Sequence, residues 1–242
     1  MIARYAGGET GARAAARAGS VAVVVDAFRA STTIAVLVSK GARVIPVSSI
    51  REASEAEADF RIGERGSAKV AGFDFGNSPT EIQASEIPRG STVVLSTTNG
   101  TRVVEAAAGA PSVLTGAFVN AEHLAAELAD GSYGDEIVAI GCGWEGHRFS
   151  EDEAAAGAIL HHLRERGATL DERGAWAAGR YLERAAGPLR SSPLRANRAA
   201  RRLIRLGYEP DLDFCLSEDT LPVAPLLTGG AFSGRETRSR GS

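Results

Sequence analysis

Cysteine is nearly absent from the 242-residue chain: Cys142 and Cys215 lie far apart and form no CxxC pair, which excludes a disulfide framework and a cysteine-rich zinc site. That usage fits a reducing cytoplasm. Long apolar runs are missing too. No stretch approaches the roughly 18 apolar residues of a membrane span, and the first twenty residues are rich in Ala, Gly and Arg rather than apolar, so the expectation is a soluble, unprocessed protein. No excess of one charge exists. The 27 basic and 30 acidic residues are interspersed, leaving a net of -3, which argues against a nucleic-acid binder and leaves a small anionic substrate open. Lysine occurs only as Lys40 and Lys69, so positive charge rests on arginine, whose planar fork suits bidentate contacts to anions. The phosphate loop GxxxxGK[ST] and a strand-borne GxGxxG are both missing, which removes the common nucleotide-binding modules.

What the chain does have is alternation. From Val21 to Ile140 short β-branched runs alternate with longer amphipathic segments, the pattern of a layered α/β/α fold with a mostly parallel or mixed sheet. Val21 to Val25, Val44 to Val47, Lys69 to Gly72, Ser91 to Leu95, Val113 to Thr115 and Ile137 to Ile140 read as strands. Ser31 to Lys40 reads as a helix closed by Gly41. Ser49 with Glu52 has capping-box spacing and predicts a helix running to about Ile62. Gly100 to Ala108 reads as the next helix, and Asn120 as the cap of another. Ser150 with Glu153 repeats the capping box before a helix ending by Gly167. The last third is helical and arginine-rich, with Ser192 as N-cap and Pro193 at the first position of a helix ending at Gly207. Strand signals return at Phe214 to Leu216 and at Val223. No linker or repeat stands out, so residues 1–233 read as one domain with a helical C-terminal excursion, and 234–242 as a disordered tail.

In such sheets ligands bind beyond the carboxyl ends of strands, where helix N-termini present free N–H groups. Three corners have that composition. Asp26 to Thr33 puts a carboxylate directly after a buried strand, then Arg29 and the hydroxyls of Ser31 and Thr32. Ser96 to Arg102 is a run of small donors with Gly100. Gly141 to Glu153 mixes Arg148 with Glu151, Asp152 and Glu153 at a helix start. Caps and dipole complements account for any one of these alone; three in one chain, each with an arginine, point to an anion site. A fourth segment, Gly72 to Pro79, makes an Asx or glycine turn or offers Asp74 to a metal and Asn77 or Ser78 to a substrate oxygen.

These segments in this order, DAFRASTT at 26–33, GFDFGNSP at 72–79, STTNGTR at 96–102, RFSED at 148–152 and GYEPDLDFCL at 207–216, resemble the 2-phosphosulfolactate phosphatase (ComB) family, over about Val21 to Phe232. The resemblance implies a magnesium-dependent acid phosphatase converting 2-phosphosulfolactate to sulfolactate and phosphate, a step in coenzyme M biosynthesis. A substrate with phosphate, sulfonate and carboxylate needs several cationic or N–H contacts. Arg29, Arg102 and Arg148 are the candidates, with Thr97, Thr98, Asn99 and Gly100 around the phosphate. Magnesium takes hard oxygen ligands and keeps waters; Asp26, Asp74 and Asp152 form the candidate set, with Glu151 as a further member. Asp26, Arg29 and Arg148 are the candidate catalytic residues.

Two covalent routes compete with metal-bound water. Asp26 stands where a nucleophilic aspartate would, but the second acid of aspartyl-phosphate enzymes is replaced by Phe28. Cys142 and Arg148 have C-x5-R spacing, although Trp144, Glu145 and His147 between them are unlike a tight phosphate loop. His147 is a surface residue or a general acid, and the other histidines lack zinc-pair spacing. Rival functions are a phosphatase for another small phosphorylated hydroxy acid and a non-catalytic anion-binding protein. A homo-oligomer is the usual state for soluble enzymes of this size.

Overall fold

The run Val21–Val25 forms a strand with every side chain buried, as a strand inside a sheet covered on both faces must be. The computed structural model describes residues 1–143 and 149–235. Its strands are β1 (Ile2–Gly7), β2 (Val21–Val25), β3 (Arg43–Val47), β4 (Phe60–Arg65), β5 (Ala68–Lys69), β6 (Thr92–Ser96), β7 (Val113–Thr115), β8 (Glu136–Gly141), β9 (Thr169–Leu170), β10 (Leu226–Thr228) and β11 (Ala231–Ser233). Its α-helices are α1 (Gly8–Arg17), α2 (Ala30–Ser39), α3 (Ile50–Glu55), α4 (Pro79–Ala84), α5 (Gly100–Ala106), α6 (Ala121–Ala129), α7 (Ser150–Glu165), α8 (Glu172–Arg184), α9 (Arg198–Arg205) and α10 (Glu209–Cys215).

The sheet runs β5-β4-β6-β3-β11-β10-β7-β2-β8-β1-β9. Strands β4, β6 and β3 pair in parallel, as do β7, β2, β8, β1 and β9. The β10–β11 hairpin stitches the two parallel blocks together through single antiparallel pairs, Leu226 with Leu114 and Phe232 with Val44. Its two-residue turn is Gly229-Gly230, both at positive φ (59° and 80°), the backbone that a tight hairpin requires and side chains disfavour.

Strand alternation builds the two layers. Val21, Val23 and Val25 of β2 face one core with Leu124, Leu128, Ile159 and Leu163 of α6 and α7. Ala22 and Val24 face the other with Ala12, Leu37 and Val104 of α1, α2 and α5. Full burial of such side chains contributes about 1.5–3 kcal/mol each. Helices α7 and α8 meet at Gly157, where an added Cβ would lie 2.1 Å from the carbonyl oxygen of Ala177.

The layered α/β reading and the C-terminal helices stand, and several boundaries are corrected. Ser49 does cap α3, its Oγ accepting from the Glu52 N–H, but that helix stops at Glu55, and Phe60–Arg65 is strand β4 paired with β6 rather than helix. The strand expected at Lys69 to Gly72 is reduced to Ala68–Lys69. Ser150 is the first residue of α7, not its cap, which is Phe149. Asn120 precedes α6 without a side-chain cap; its amide instead accepts from the Ala117 N–H and donates to the Val223 carbonyl. Ser192 caps only a short 3-10 turn, Pro193–Ala196, and Asn197 caps a separate helix α9. Phe214 to Leu216, expected as strand, lies at the end of helix α10, started by Pro210 with Glu209 and Asp211 in the first turn. The strand near Val223 begins at Leu226. Among the described residues no helix is long and apolar enough to cross a membrane.

Candidate active site

Asp26 follows β2 directly, Glu64 is the next-to-last residue of β4, Thr98 and Asn99 follow β6, and Gly143 follows β8. These strand ends, with the start of α7 and one side of α9, enclose a cavity of about 480 Å³. That is where an α/β sheet places its ligand.

Four carboxylates line it: Asp26, Glu64, Glu151 and Asp152. Each is held by N–H donors. Asp152 Oδ1 accepts from the Ala27 N–H and Oδ2 from the Gly143 N–H, both at 2.9 Å, which ties the loops after β2 and β8 to the first turn of α7. Glu64 does the same between two other loops, accepting from the Thr98 and Ser67 N–H groups at 2.6 Å. Glu151 Oε2 accepts from Asn197 Nδ2 at 2.7 Å. Gly100 packs beside Asp26; a Cβ there would lie 2.9 Å from Asp26 Oδ2 and 2.9 Å from Ala30 Cβ.

Gathering acids away from water raises their proton affinity. Burial, then the Glu64 charge, pushes Asp26 up to about 6 against the N–H groups of Ala30 and Arg29. Burial, with Asp26 nearby, pushes Glu151 up to about 7. Asp152 is raised well above the carboxylate range by burial, Asp26 and Glu151. The same surroundings push the Cys142 thiol upward, through burial first and then Asp26 and Asp152. A thiol so raised is the opposite of an activated nucleophile.

Arginines supply the opposite charge. Arg29 is buried at 2% exposure: it donates to Asp211 Oδ2 at 2.7 Å and to the Ser67 carbonyl at 2.9 Å, with its guanidinium 4.3 Å from the centre of the Tyr208 ring. Asp211 also accepts from the hydroxyls of Ser78 and Thr80, so Arg29 belongs to a buried network in the cavity wall. Helix α9 adds Arg198, Arg201, Arg202 and Arg205 to the lining.

The structure therefore brings together some of the sequence candidates and separates others. Asp26, Arg29, Glu151, Asp152, Asn77, Thr98 and Asn99 line the cavity. The Ser31 hydroxyl accepts from the Asp26 N–H at 2.8 Å, and that of Thr32 donates to the Ala27 carbonyl, so both shape the loop after β2 from behind. Ser78 caps α4 and holds Asp211. Thr97 is buried, its hydroxyl accepting from the Thr101 N–H, and the Thr98 N–H is engaged by Glu64. Gly100 backs Asp26 without lining the cavity. Asp74 is exposed, accepts from the Arg61 N–H at 2.7 Å and does not reach the cavity; Arg102 is exposed and also outside the lining. Arg148, His147 and the rest of 144–148 lie outside the described residues. Glu64, Asn197 and the α9 arginines are the site residues that sequence reasoning missed. For α9 the signal was present, arginines three, four and seven residues apart; for Glu64 none was.

The donor set suits a magnesium ion. Asp26, Glu151 and Asp152 are hard oxygen ligands whose mutual repulsion a cation relieves, whereas Asp74 is misplaced for that role. They are not collapsed into a tight cage: among the described residues, the group with ligand atoms all within 4.8 Å of one another is His161, His162 and Glu165, on α7. An ion there would be held by one or two of these carboxylates and would keep waters. Among the described residues the buried Asn77 Oδ1 has no hydrogen-bond partner, and Asn77 lines the cavity.

An α/β fold with acids and arginines gathered around one strand-end cavity has the composition of an enzyme's active site. The chain belongs to the 2-phosphosulpholactate phosphatase family, whose model matches residues 10–230. Similar proteins include the probable 2-phosphosulfolactate phosphatase of Thermotoga maritima, 38% identical over 219 residues, covering 89% of this chain and 92% of that protein. Those of Gloeobacter violaceus (38%, covering 86% and 88%) and Thermosynechococcus vestitus (37%, covering 84% and 87%) bear the same description. Membership places the chain among the phosphoric monoester hydrolases.

Proposed function

We propose that the protein is a magnesium-dependent phosphatase that hydrolyses 2-phosphosulfolactate to sulfolactate and phosphate, in the cytoplasm, as a step of coenzyme M biosynthesis. The observation that carries this reading is the cavity in which four carboxylates and the arginines of α9 face one volume. A phosphate alone would be repelled by those carboxylates; phosphate with a divalent cation is not. Bound magnesium would supply charge neutralisation for the phosphoryl group and a more acidic water.

The chain's own residues do the rest. Asp26 and Asp152 would hold the cation. Glu151, raised to about 7, exchanges protons near neutrality, as a group must that takes a proton from attacking water or returns one to the departing alkoxide. Thr98 and Asn99 orient the phosphate from the end of β6. Arg29, fixed by Asp211, holds the loop that carries Asp26. Free buried cysteines suit the reducing compartment named above.

Phosphate release from 2-phosphosulfolactate by the purified protein is the test. Release with magnesium that stops with EDTA and survives thiol alkylation is expected. No release with magnesium, manganese or cobalt would overturn the reading.

A further inference from the structure

The acids account for cation and phosphate, and they leave one side of the cavity without a task. Helix α9 places Arg198, Arg201, Arg202 and Arg205 on one face, against the natural repulsion of like charges three and four residues apart. The fold holds that face at the cavity from both ends. At the start, Asn197 caps the helix through Oδ1 to the Ala200 N–H at 2.8 Å while its Nδ2 holds Glu151. Further along, Arg202 donates to the Gly66 carbonyl through Nη2 at 2.7 Å and Nε at 3.2 Å. Gly66 sits at φ +59°, a backbone conformation that side chains disfavour.

Compensation by acids is selective. Arg195, just before α9, pairs with Glu209 and Asp213. Arg201 and Arg205 line the cavity and make no ion pair among the described residues. A phosphate group is common to every phosphomonoester and is already provided for by the strand-end acids and their cation. Guanidinium groups left over on the same cavity recognise something else that is anionic and planar or tetrahedral in its oxygens.

We infer that the arginine face of α9, Arg201 and Arg205 above all, binds the non-reacting oxyanion groups of the substrate, carboxylate or sulfonate, and so selects phosphomonoesters that carry further negative charge. This rests on the phosphatase reading above and assigns its specificity to named residues. Such contacts hold substrate and transition state alike, so they act chiefly on KM.

The experiment compares wild type with R201A/R205A on 2-phosphosulfolactate and on phenyl phosphate, whose alcohol portion carries no charge. Losing two charge-assisted contacts should lower kcat/KM for the polyanion roughly 10- to 100-fold, mostly through KM, with a much smaller change for phenyl phosphate. R201K/R205K, which keeps charge but not the fork, should recover part of the loss. Equal loss on both substrates, or no loss on either, overturns the inference. A thermal midpoint for each variant separates binding from folding. Should wild type cleave neither compound, the phosphatase reading falls by itself, and sulfoacetate then decides the arginine assignment: it must raise the midpoint of wild type and not that of R201A/R205A.

Discussion

Asn197 donates through Nδ2 to Glu151 Oε2 at 2.7 Å, which fastens the start of the arginine helix to a buried acid of the cavity. One side chain thus caps a helix and satisfies a carboxylate, linking fold to site. Replacing Asn197 by Asp keeps a capping oxygen and removes the donor, setting a second negative charge against Glu151. The Glu151 carboxyl, already near 7, should rise further, so the pH dependence of kcat should move upward relative to wild type. Asn197→Ala should in addition cost about 1 kcal/mol of stability through the lost cap. A pH–rate profile unchanged in Asn197→Asp would remove Glu151 from the titrating machinery.

Arg29 and Asp211 form an ion pair with both partners almost fully buried. Breaking it from one side leaves a buried charge without its ion-pair partner. Asp211→Ala should therefore lose about 3–5 kcal/mol in urea unfolding. Arg29→Met with Asp211→Leu should lose less than the sum of the single variants, because neither charge is then stranded. Strict additivity in the double-mutant cycle would show that the pair is not coupled.

The raised acids make stability depend on pH with a defined sign. Asp26 and Glu151 have folded-state values above their unfolded ones, so the folded protein binds more protons between roughly pH 4 and pH 7, and their contribution to stability falls as pH rises through that window. Without metal, the thermal midpoint of wild type should drop from pH 5 to pH 8 more than that of Asp26→Asn with Glu151→Gln. Magnesium, by favouring the charged acids, should flatten the wild-type slope. Identical slopes for wild type and the double variant would rule out these two groups as its source.

Gly157 is where α7 and α8 touch. Alanine is the better helix former by about 1 kcal/mol, yet its Cβ would stand 2.1 Å from the Ala177 carbonyl oxygen. The helices must part, and overpacking of this kind costs about 1–3 kcal/mol. Gly157→Ala should therefore unfold at lower urea than wild type, whereas Gly179→Ala on α8, with open space around it, should not. A Gly157→Ala protein as stable as wild type would mean that the helices separate without cost.

Local signals were legible where local energies decide. Val21–Val25 is apolar at every position, Ser49 has its capping partner three residues on, and both formed what their neighbours in sequence dictate. Phe60 to Ile62 reads as the end of a helix because the Ala- and Glu-rich residues before it favour one; the chain turns extended at Ala56, and the strand exists by pairing with β6. The Phe214 run reads as strand because its aromatic and apolar residues suit one, while Pro210 and the acids around it start a helix.

The sequence by itself determined the alternating layers, the strand-end position of Asp26 and the acidic start of α7, since these depend on periodicity and on caps within a few residues. Only the tertiary structure decided which charges meet. It brought Glu64 from the end of β4 and the α9 arginines to the cavity, turned Asp74 outward, and buried Arg29 against Asp211, 182 residues away. Strand order and burial set those distances, and with them the charge balance of the site; neither is a property of any short stretch of chain.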